Sequence, residues 1–380
     1  MLRAVLAVLS LPLLASAQAP FLPTFQSTLS NLGFGRFADA IKNLSTTSTG
    51  SELLASLGSS LPYTVYVPVN EAWDSIGNVD LAKVLAYHIS PSSINTTDIA
   101  PPRRHTIAYT ELRQDQALPG RQPQVLVLET SPVNDTRVLI RGADWNTTSR
   151  GNGTAYGNIW LQPIDRVLSP PLPLLDVLRH PLDSSAVNGT TAALALINNV
   201  GLQDTFTGCK GCTFFIPNDA ALAGINFDAL VSSQRANVLL GHVINGDVRY
   251  STELDAGDTW ISAAGQTVAY GVNATGAFIT SGGAIARIVR SDILCTNGVV
   301  HLVNRVIGGP IGNPDRAASA LTAASVLAAT QTTADGIIGR IPTSIPISPT
   351  SSTPPGSSQS RASARRRISS GFWMRWLHIA

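Results

Sequence analysis

Tyr63-Thr-Val-Tyr-Val-Pro-Val-Asn-Glu-Ala-Trp73 returns later in the chain as Thr213-Phe-Phe-Ile-Pro-Asn-Asp-Ala-Ala-Leu222. In each copy a β-branched and aromatic run suited to a buried strand stops at a proline, Pro68 or Pro217, which has no N–H to continue a ladder. Asn70 and Asp219 stand two residues beyond it, where a short polar side chain can accept the unpaired N–H groups of a first helical turn. A strand-to-helix corner is therefore expected twice.

Two further landmarks follow each copy in the same order. A histidine ends an apolar helical run, as Leu81-Ala-Lys-Val-Leu-Ala-Tyr87-His88 and again as Val238-Leu-Leu-Gly241-His242. A closing strand comes after it, Gly157-Asn-Ile-Trp-Leu-Gln-Pro-Ile164 in one copy and Gly298-Val-Val-His301-Leu-Val-Asn304 in the other. This pattern resembles the fasciclin domain, whose two signature boxes are a Thr-Val-Phe-Ala-Pro-Thr-Asn-like strand and a Gly-Val-Val-His-Val-Ile-Asp-like strand with a Tyr-His between them. The resemblance implies an α+β fold: two tandem domains, 20–169 and 172–310, each a β-wedge or sandwich of mostly antiparallel strands with helices packed at one end.

Apolar spacing within that frame predicts helices over 34–44, 51–57 and 191–200, with Gly201 to Thr207 as the exit of the last. Strands are expected at 125–128, 137–140, 267–270, 277–280 and 284–289. The polar, Gly-rich stretch 142–157 reads as an exposed loop, and Pro170-Pro171-Leu172-Pro173 as a hinge. Beyond 310 the composition turns to Ala, Ser, Thr and Pro. The tail 311–380 reads as disordered with a basic C-terminus, apart from a weak helix over 317–330.

Met1 to Ala17 carries one arginine, an apolar run and Ala15-Ser16-Ala17, which together form a secretory signal peptide. Asn-x-Ser/Thr sequons stand at Asn43, Asn95, Asn134, Asn146, Asn152, Asn188 and Asn273. Seven of them behind a signal peptide point to an extracellular glycoprotein. The three cysteines, Cys209, Cys212 and Cys295, leave an odd thiol, with a local Cys209–Cys212 bridge the plainer reading and Cys295 the alternative partner. The formal net charge is +2, and removing Arg3 and the five arginines of 361–380 leaves −4 for the remainder, which excludes a polyanion binder such as a nucleic-acid protein. Arg375 interrupts the apolar finish at Phe372 to Ala380, which argues against a lipid-anchor signal.

No His-Glu-x-x-His or Gly-x-Ser-x-Gly motif is present, so neither a metal site, a cofactor nor an enzyme is expected. In animal matrix members of the fasciclin family an Asp-Ile pair before the closing strand and the Tyr-His box are associated with receptor binding. The resemblance carries this onto Asp292, Ile293, Tyr87 and His88 as candidate adhesion contacts. Neither copy holds the full set: Gly151-Asn152 replaces Asp-Ile in the first, and Gly241 replaces tyrosine in the second. The function implied is adhesion or association with a cell wall or extracellular matrix, with a cell-surface or cell-wall glycan or protein as partner and a homophilic contact as one option. The alternative is a secreted glycan-binding protein or carbohydrate-active enzyme. Peptide mapping of secreted material should place the mature N-terminus near Gln18; intact Met1 would overturn the signal-peptide reading.

Overall fold

Each copy is organised around one parallel strand pair, made by the repeated Pro-ended strand and the closing strand that follows it much later in the chain. The computed structural model describes residues 21–330 apart from 115–116, 134–136, 181 and 183–188, together with 337–338. The expected signal peptide, the basic C-terminus, Asn134 and Asn188 lie outside the described residues.

The first copy opens with α1 (Phe21–Asn31), α2 (Gly35–Ser45) and α3 (Ser48–Leu57), then β1 (Tyr63–Pro68), α4 (Leu81–Tyr87) and β2 (Ile89–Ser90). The strands β3 (Thr106–Tyr109), β4 (Val125–Thr130), β5 (Val138–Arg141) and β6 (Asn146–Thr148) run antiparallel, and β7 (Thr154–Tyr156) leads into the closing strand β8 (Ile159–Ile164). The second copy repeats this order. It has α5 (Leu174–Val177), α6 (Thr191–Val200), α7 (Gln203–Gly208), β9 (Cys212–Pro217), α8 (Asp219–Ala223), α9 (Ser232–Leu240) and β10 (Val243–Ile244). The strands β11 (Thr259–Ile261), β12 (Thr267–Asn273), β13 (Gly276–Ser281), β14 (Ala284–Cys295) and β15 (Gly298–Val303) follow. The chain then forms α10 (Pro314–Thr330) and β16 (Ile337–Ile338).

Strand β1 pairs in parallel with β8, from Tyr63 opposite Ile159 to Pro68 opposite Ile164, and β9 pairs likewise with β15. Both flank the pair with a short antiparallel strand, giving the orders β2-β1-β8-β7 and β10-β9-β15-β14. In the second copy the twelve-residue β14 runs on into β13-β12-β11, so one seven-stranded sheet results. The same path in the first copy is split into β6 and β7, which leaves β3-β4-β5-β6 as a separate sheet. The stretch 142–157, read as a loop, thus holds two short strands, because each finds an open edge, β6 on β5 and β7 on β8.

Strand side chains alternate between faces, and both faces of β1 are buried. Tyr63, Val65 and Val67 meet the helices through Phe25, Phe37, Ile41 and Leu57, whereas Tyr66 faces the antiparallel sheet with Leu126 and Leu128. The second copy does the same, with Phe214 and Ile216 toward Ile197 and Leu239, and Phe215 toward Val268 and Ile279. A Cβ on Gly298 would lie 1.9 Å from the Cys212 carbonyl oxygen, so the closing box needs glycine where it enters beside β9.

Asn70 and Asp219 do not cap the helical turns that follow them. Asn70 Oδ1 accepts from Arg36 N at 3.1 Å and Asp219 Oδ1 from Ala192 N at 2.8 Å, so each caps the start of an earlier helix, α2 or α6, across the copy. The cap of α8 is Asn218, whose Oδ1 accepts from Ala221 N at 2.8 Å. The exit expected at 201–207 is instead the helix α7, and α1 precedes the helices expected from spacing.

The two histidines make identical brackets. His88 Nδ1 donates to Val84 O at 2.7 Å and its Nε2 accepts from Leu168 N at 2.9 Å. His242 Nδ1 donates to Val238 O at 2.8 Å and its Nε2 accepts from Ile307 N at 2.9 Å. A carbonyl can only accept and an amide N–H only donate, so both imidazoles are neutral and carry the proton on Nδ1. Each joins the end of a helix to the backbone just past the closing strand.

Burial lowers both imidazoles to about 4 against the opposing pull of the backbone carbonyls. An unfolded chain would take up these protons near 6.5. No stability is lost above that pH, loss accumulates as the pH falls from about 6.5 to about 4, and below that it levels off. The expected slope is about 1.4 kcal/mol per pH unit for each histidine. Urea unfolding at pH 7.5 and 4.5 checks this, and a stability unchanged across that interval would overturn the bracket.

Candidate functional site between the two copies

Strand β4 reads Val125-Leu-Val-Leu128, a continuous apolar run rather than an alternation, because both of its faces are covered. Leu126 and Leu128 turn into the first copy. Ile107, Tyr109, Val125 and Val127 turn outward onto Tyr250, Leu294 and Val299 of the second copy. The equivalent strand β12 begins Thr267-Val-Ala-Tyr270 and leaves Thr267 exposed, so only one of the two outer sheets is closed by a partner. That difference was readable in the sequence as a signal for the interface.

Polar contacts fix the docking. Gln124 Nε2 donates to Thr296 O at 2.8 Å, Arg290 Nη2 to Gly142 O at 2.8 Å, and Gly211 N to Ala117 O at 3.0 Å. The expected hinge is pinned as well, since Thr296 N donates to Leu172 O at 2.9 Å.

At the centre of this interface lies Asp292. It sits at a β-bulge in β14, where register shifts fall on either side of Arg290, and it adopts φ +57°, a left-handed conformation that Asp tolerates better than most residues. The bulge turns its carboxylate to His105, whose Nδ1 donates at 2.5 Å across the interface. Ser251 N donates to Oδ1 at 2.7 Å, and the Ser251 hydroxyl donates to Oδ2. Burial raises the Asp292 carboxyl, but the His105 hydrogen bond, the nearby His301 and Ser251 outweigh it and hold the carboxyl below its ordinary range. His301 stacks on Phe215, its Nε2 donates to Arg249 O at 2.8 Å, and burial lowers its imidazole against the pull of Asp292.

This arrangement holds two copies together and is not set up for nucleophilic chemistry. In a serine triad the histidine stands between hydroxyl and carboxylate. Here the carboxylate is the centre and accepts from both Ser251 and His105. Among the described residues no group of three or more His, Cys, Asp or Glu side chains is placed to hold a metal ion.

The four residues assigned to adhesion are all enclosed: Asp292 is 4% exposed, Ile293 0%, Tyr87 2% and His88 0%. A partner docking on this surface would touch none of their side chains, so the assignment as surface contacts is corrected. Ile293 packs in the second core with Phe214 and Val300, and the Tyr87 hydroxyl donates to Val125 O at 2.9 Å. The two copies of the family pattern therefore supply internal posts. Cys209 and Cys212 form a disulfide, and Cys295 is a buried free thiol pushed up to about 12 by its burial.

A groove opens between the copies beside this centre. Copy one contributes Tyr109, the 118–122 turn and Gln122; copy two contributes 245–250 and Glu253. The helix α10 lies over it. The tail, read as disordered beyond 310 apart from a weak helix over 317–330, forms that helix as α10, and its start is held by groups remote in sequence: Asn237 Nδ2 donates to Pro310 O at 2.9 Å and Gln266 Nε2 to Gly309 O at 2.7 Å and Ile311 O at 2.8 Å. Asn313 Oδ1 then caps α10 by accepting from Arg316 N at 3.0 Å. Past α10, β16 joins the edge of β3 in the first copy, Ile337 opposite Ala108.

Residues 188–309 match the fasciclin domain. A stretch of 132 residues is 30% identical to the fasciclin-like arabinogalactan protein elcF of Phaeosphaeria nodorum, covering 34% of this chain and 41% of that protein. The chain thus spans less than half the length of this curated relative. A FAS1 domain pair from the insect cell adhesion molecule fasciclin I is similar at 18% identity and a TM-score of 0.35, over 73% of this chain and 97% of that one.

The Asp292 contact carries a test. Asn tolerates the same left-handed backbone and keeps the shape, but Asp292→Asn removes the charge and turns one accepting oxygen into an NH2 that faces donors; it should cost about 1.5–3 kcal/mol in urea unfolding, with any adhesive activity falling only as far as folded protein is lost. Loss of adhesion at unchanged stability would restore Asp292 as a direct contact. On the domain match, residues 188–309 form a fasciclin domain, and the first copy repeats its order of strands and helices around a parallel pair of its own.

Proposed function

We propose that the chain is a secreted glycoprotein that mediates cell adhesion or associates with a cell wall or extracellular matrix through two tandem fasciclin copies, 20–169 and 172–310. The observation that carries the reading is the interface itself. Two copies sharing the Ile107, Tyr109, Val125 and Tyr250, Leu294, Val299 cluster present their outer surfaces at one fixed spacing. Weak contacts made by two rigidly spaced modules reinforce each other through effective concentration, provided that both can be engaged together.

Surface chemistry supports an extracellular setting. The sequon asparagines Asn43, Asn95, Asn146, Asn152 and Asn273 are all exposed, so each can carry a glycan without disturbing a core. Charged residues are 13% of the chain, and glycans would supply the solubility that charge does not. Among the described residues no helix is long and apolar enough to cross a membrane. The relative's designation as an arabinogalactan protein favours a wall setting. The partner is a wall or surface glycan or protein, and a second copy of this chain is tested in the same assay.

A second reading, a secreted glycan-binding protein, is favoured by the groove, which brings Asp247, Arg249 and Glu253 into one cavity. Fractionation of the native cells tests the first reading. The chain is expected in the wall fraction, with a mass that falls on enzymatic removal of N-glycans, and cells lacking it should aggregate less. Recovery only from the medium, with aggregation unchanged, would overturn wall association.

A further inference from the structure

The groove beneath α10 contains space that the packing leaves open. One cavity of about 290 Å³ lies between the copies and under Ala324, Leu327 and Ala328. A wider one of about 730 Å³ continues from it, sharing Leu118, Pro119, Gly246 and Ala328. The helix sets Ala324, Leu327 and Ala328 toward this solvent-open groove, and Gly246, at φ +78°, lets the second copy come close: a Cβ on it would lie 3.1 Å from the Ala324 Cβ. The roof is therefore close to the floor at one point and the chamber beside it stays open.

The lining of the smaller cavity is divided. Leu118, Pro119 and Val248 with α10 make an apolar wall, and Gln122, Asp247, Arg249 and Glu253 make a polar one beside Tyr109. Planar groups with paired donors or acceptors suit adjacent hydroxyls, and an apolar wall suits the C–H face of a saturated ring. Charge decides further. In the smaller cavity Arg249 Nε is already engaged by Asp247 at 2.8 Å and Glu253 adds a second carboxyl, so no unbalanced positive charge is offered to an anion there; the wider space adds Arg121 and Lys210 against Asp204, which is why an anionic probe belongs in the test. The volume lies at the small end of ligand pockets, about 300–1,000 Å³. None of these lining residues is a sequon asparagine, so the chain's own glycans are attached elsewhere.

We infer that this cavity binds a neutral saccharide, one or two pyranose rings seated between the copies with α10 as the roof and the wider chamber as the path for a longer chain. The inference rests on the second, glycan-binding reading and names its ligand class. The two fail separately, because tightest binding by an anionic oligosaccharide overturns the inference alone, whereas no binding by any series overturns both.

The test is titration calorimetry on the full secreted chain with its N-glycans trimmed, using gluco-, xylo-, manno-, galacto- and chito-oligosaccharides of two to four rings and an oligogalacturonate as the anionic probe. At least one neutral series should bind saturably, with a Kd on the order of 10 µM to 1 mM, as expected of a small polar pocket. Ala328→Phe, which adds a ring at the roof residue lining both cavities and leaves the polar wall intact, should weaken binding at least tenfold. Arg249→Ala and Gln122→Ala, confirmed as folded by circular dichroism, should each weaken it about tenfold and provide the reading if Ala328→Phe does not fold. Asn273→Gln should have no effect. Absence of binding by every neutral series at about 10 mM, equal affinity in the folded variants, or tightest binding by the oligogalacturonate would each overturn the inference.

Discussion

A parallel strand pair sets the terms for everything else in this molecule. Two parallel neighbours cannot be joined by a tight turn, since the chain must return to the starting end before it pairs again. Between β1 and β8, and again between β9 and β15, everything in each copy except its first three helices and its short exit lies inside that return. The helix after the signature strand and the antiparallel sheet are the route back, and they must be held against the pair that they connect. His88 and His242 do this where the helix ends, by spanning a helical carbonyl and the amide just past the closing strand. Thr64 and Thr213 repeat the economy on the other side: each hydroxyl donates to a carbonyl and accepts an amide in the segment after the short flanking strand.

Because these posts are internal, they cannot also be a surface. Tyr87-His88 and Asp292-Ile293 are the parts of the pattern easiest to recognise, and they are buried because their partners lie inside the fold. A polar side chain in a core has to satisfy all its donors and acceptors there, which restricts its identity far more than solvent would. Asp292 shows the consequence. Its left-handed backbone and bulge turn a carboxylate inward to meet Ser251 of its own copy and His105 of the other, so a residue within one repeat also fixes the relation between repeats.

The repeats are equal in topology and unequal in environment. The first copy has an outer sheet covered on both faces, and the second has one covered on a single face. The apolar run Val125 to Leu128 and the partly exposed run beginning at Thr267 record that difference in composition. The tail takes advantage of the same asymmetry. It leaves the second copy, crosses the groove as α10 and adds β16 to the free edge of β3, so an edge that would otherwise present unpaired amides is closed.

From the sequence alone the signature strands, the closing strands, the central hairpins and the α+β class were all legible, because period-two alternation, proline stops and a repeated order are local properties of the chain. The expected strands at 125–128, 277–280 and 284–289 fall within β4, β13 and β14. The short strands β6 and β7 were not legible, since three residues such as Asn146-Thr-Thr148 or Thr154-Ala-Tyr156 become a strand only when an edge is offered to them. The targets of Asn70 and Asp219 were hidden for a related reason: their spacing suits a local cap, but the amides they accept from are brought to them by packing. The helix α10 was legible as a weak helix over 317–330, but its place over the groove was not, because the segment leading into it is held by Asn237 and Gln266, which stand far from it along the chain. The sequence by itself determined the repeat and the class of fold, because those depend on neighbours along the chain. Only the tertiary structure decided which recognised residues are enclosed, how the two copies meet and what space remains between them, because burial and docking depend on residues that the chain keeps far apart.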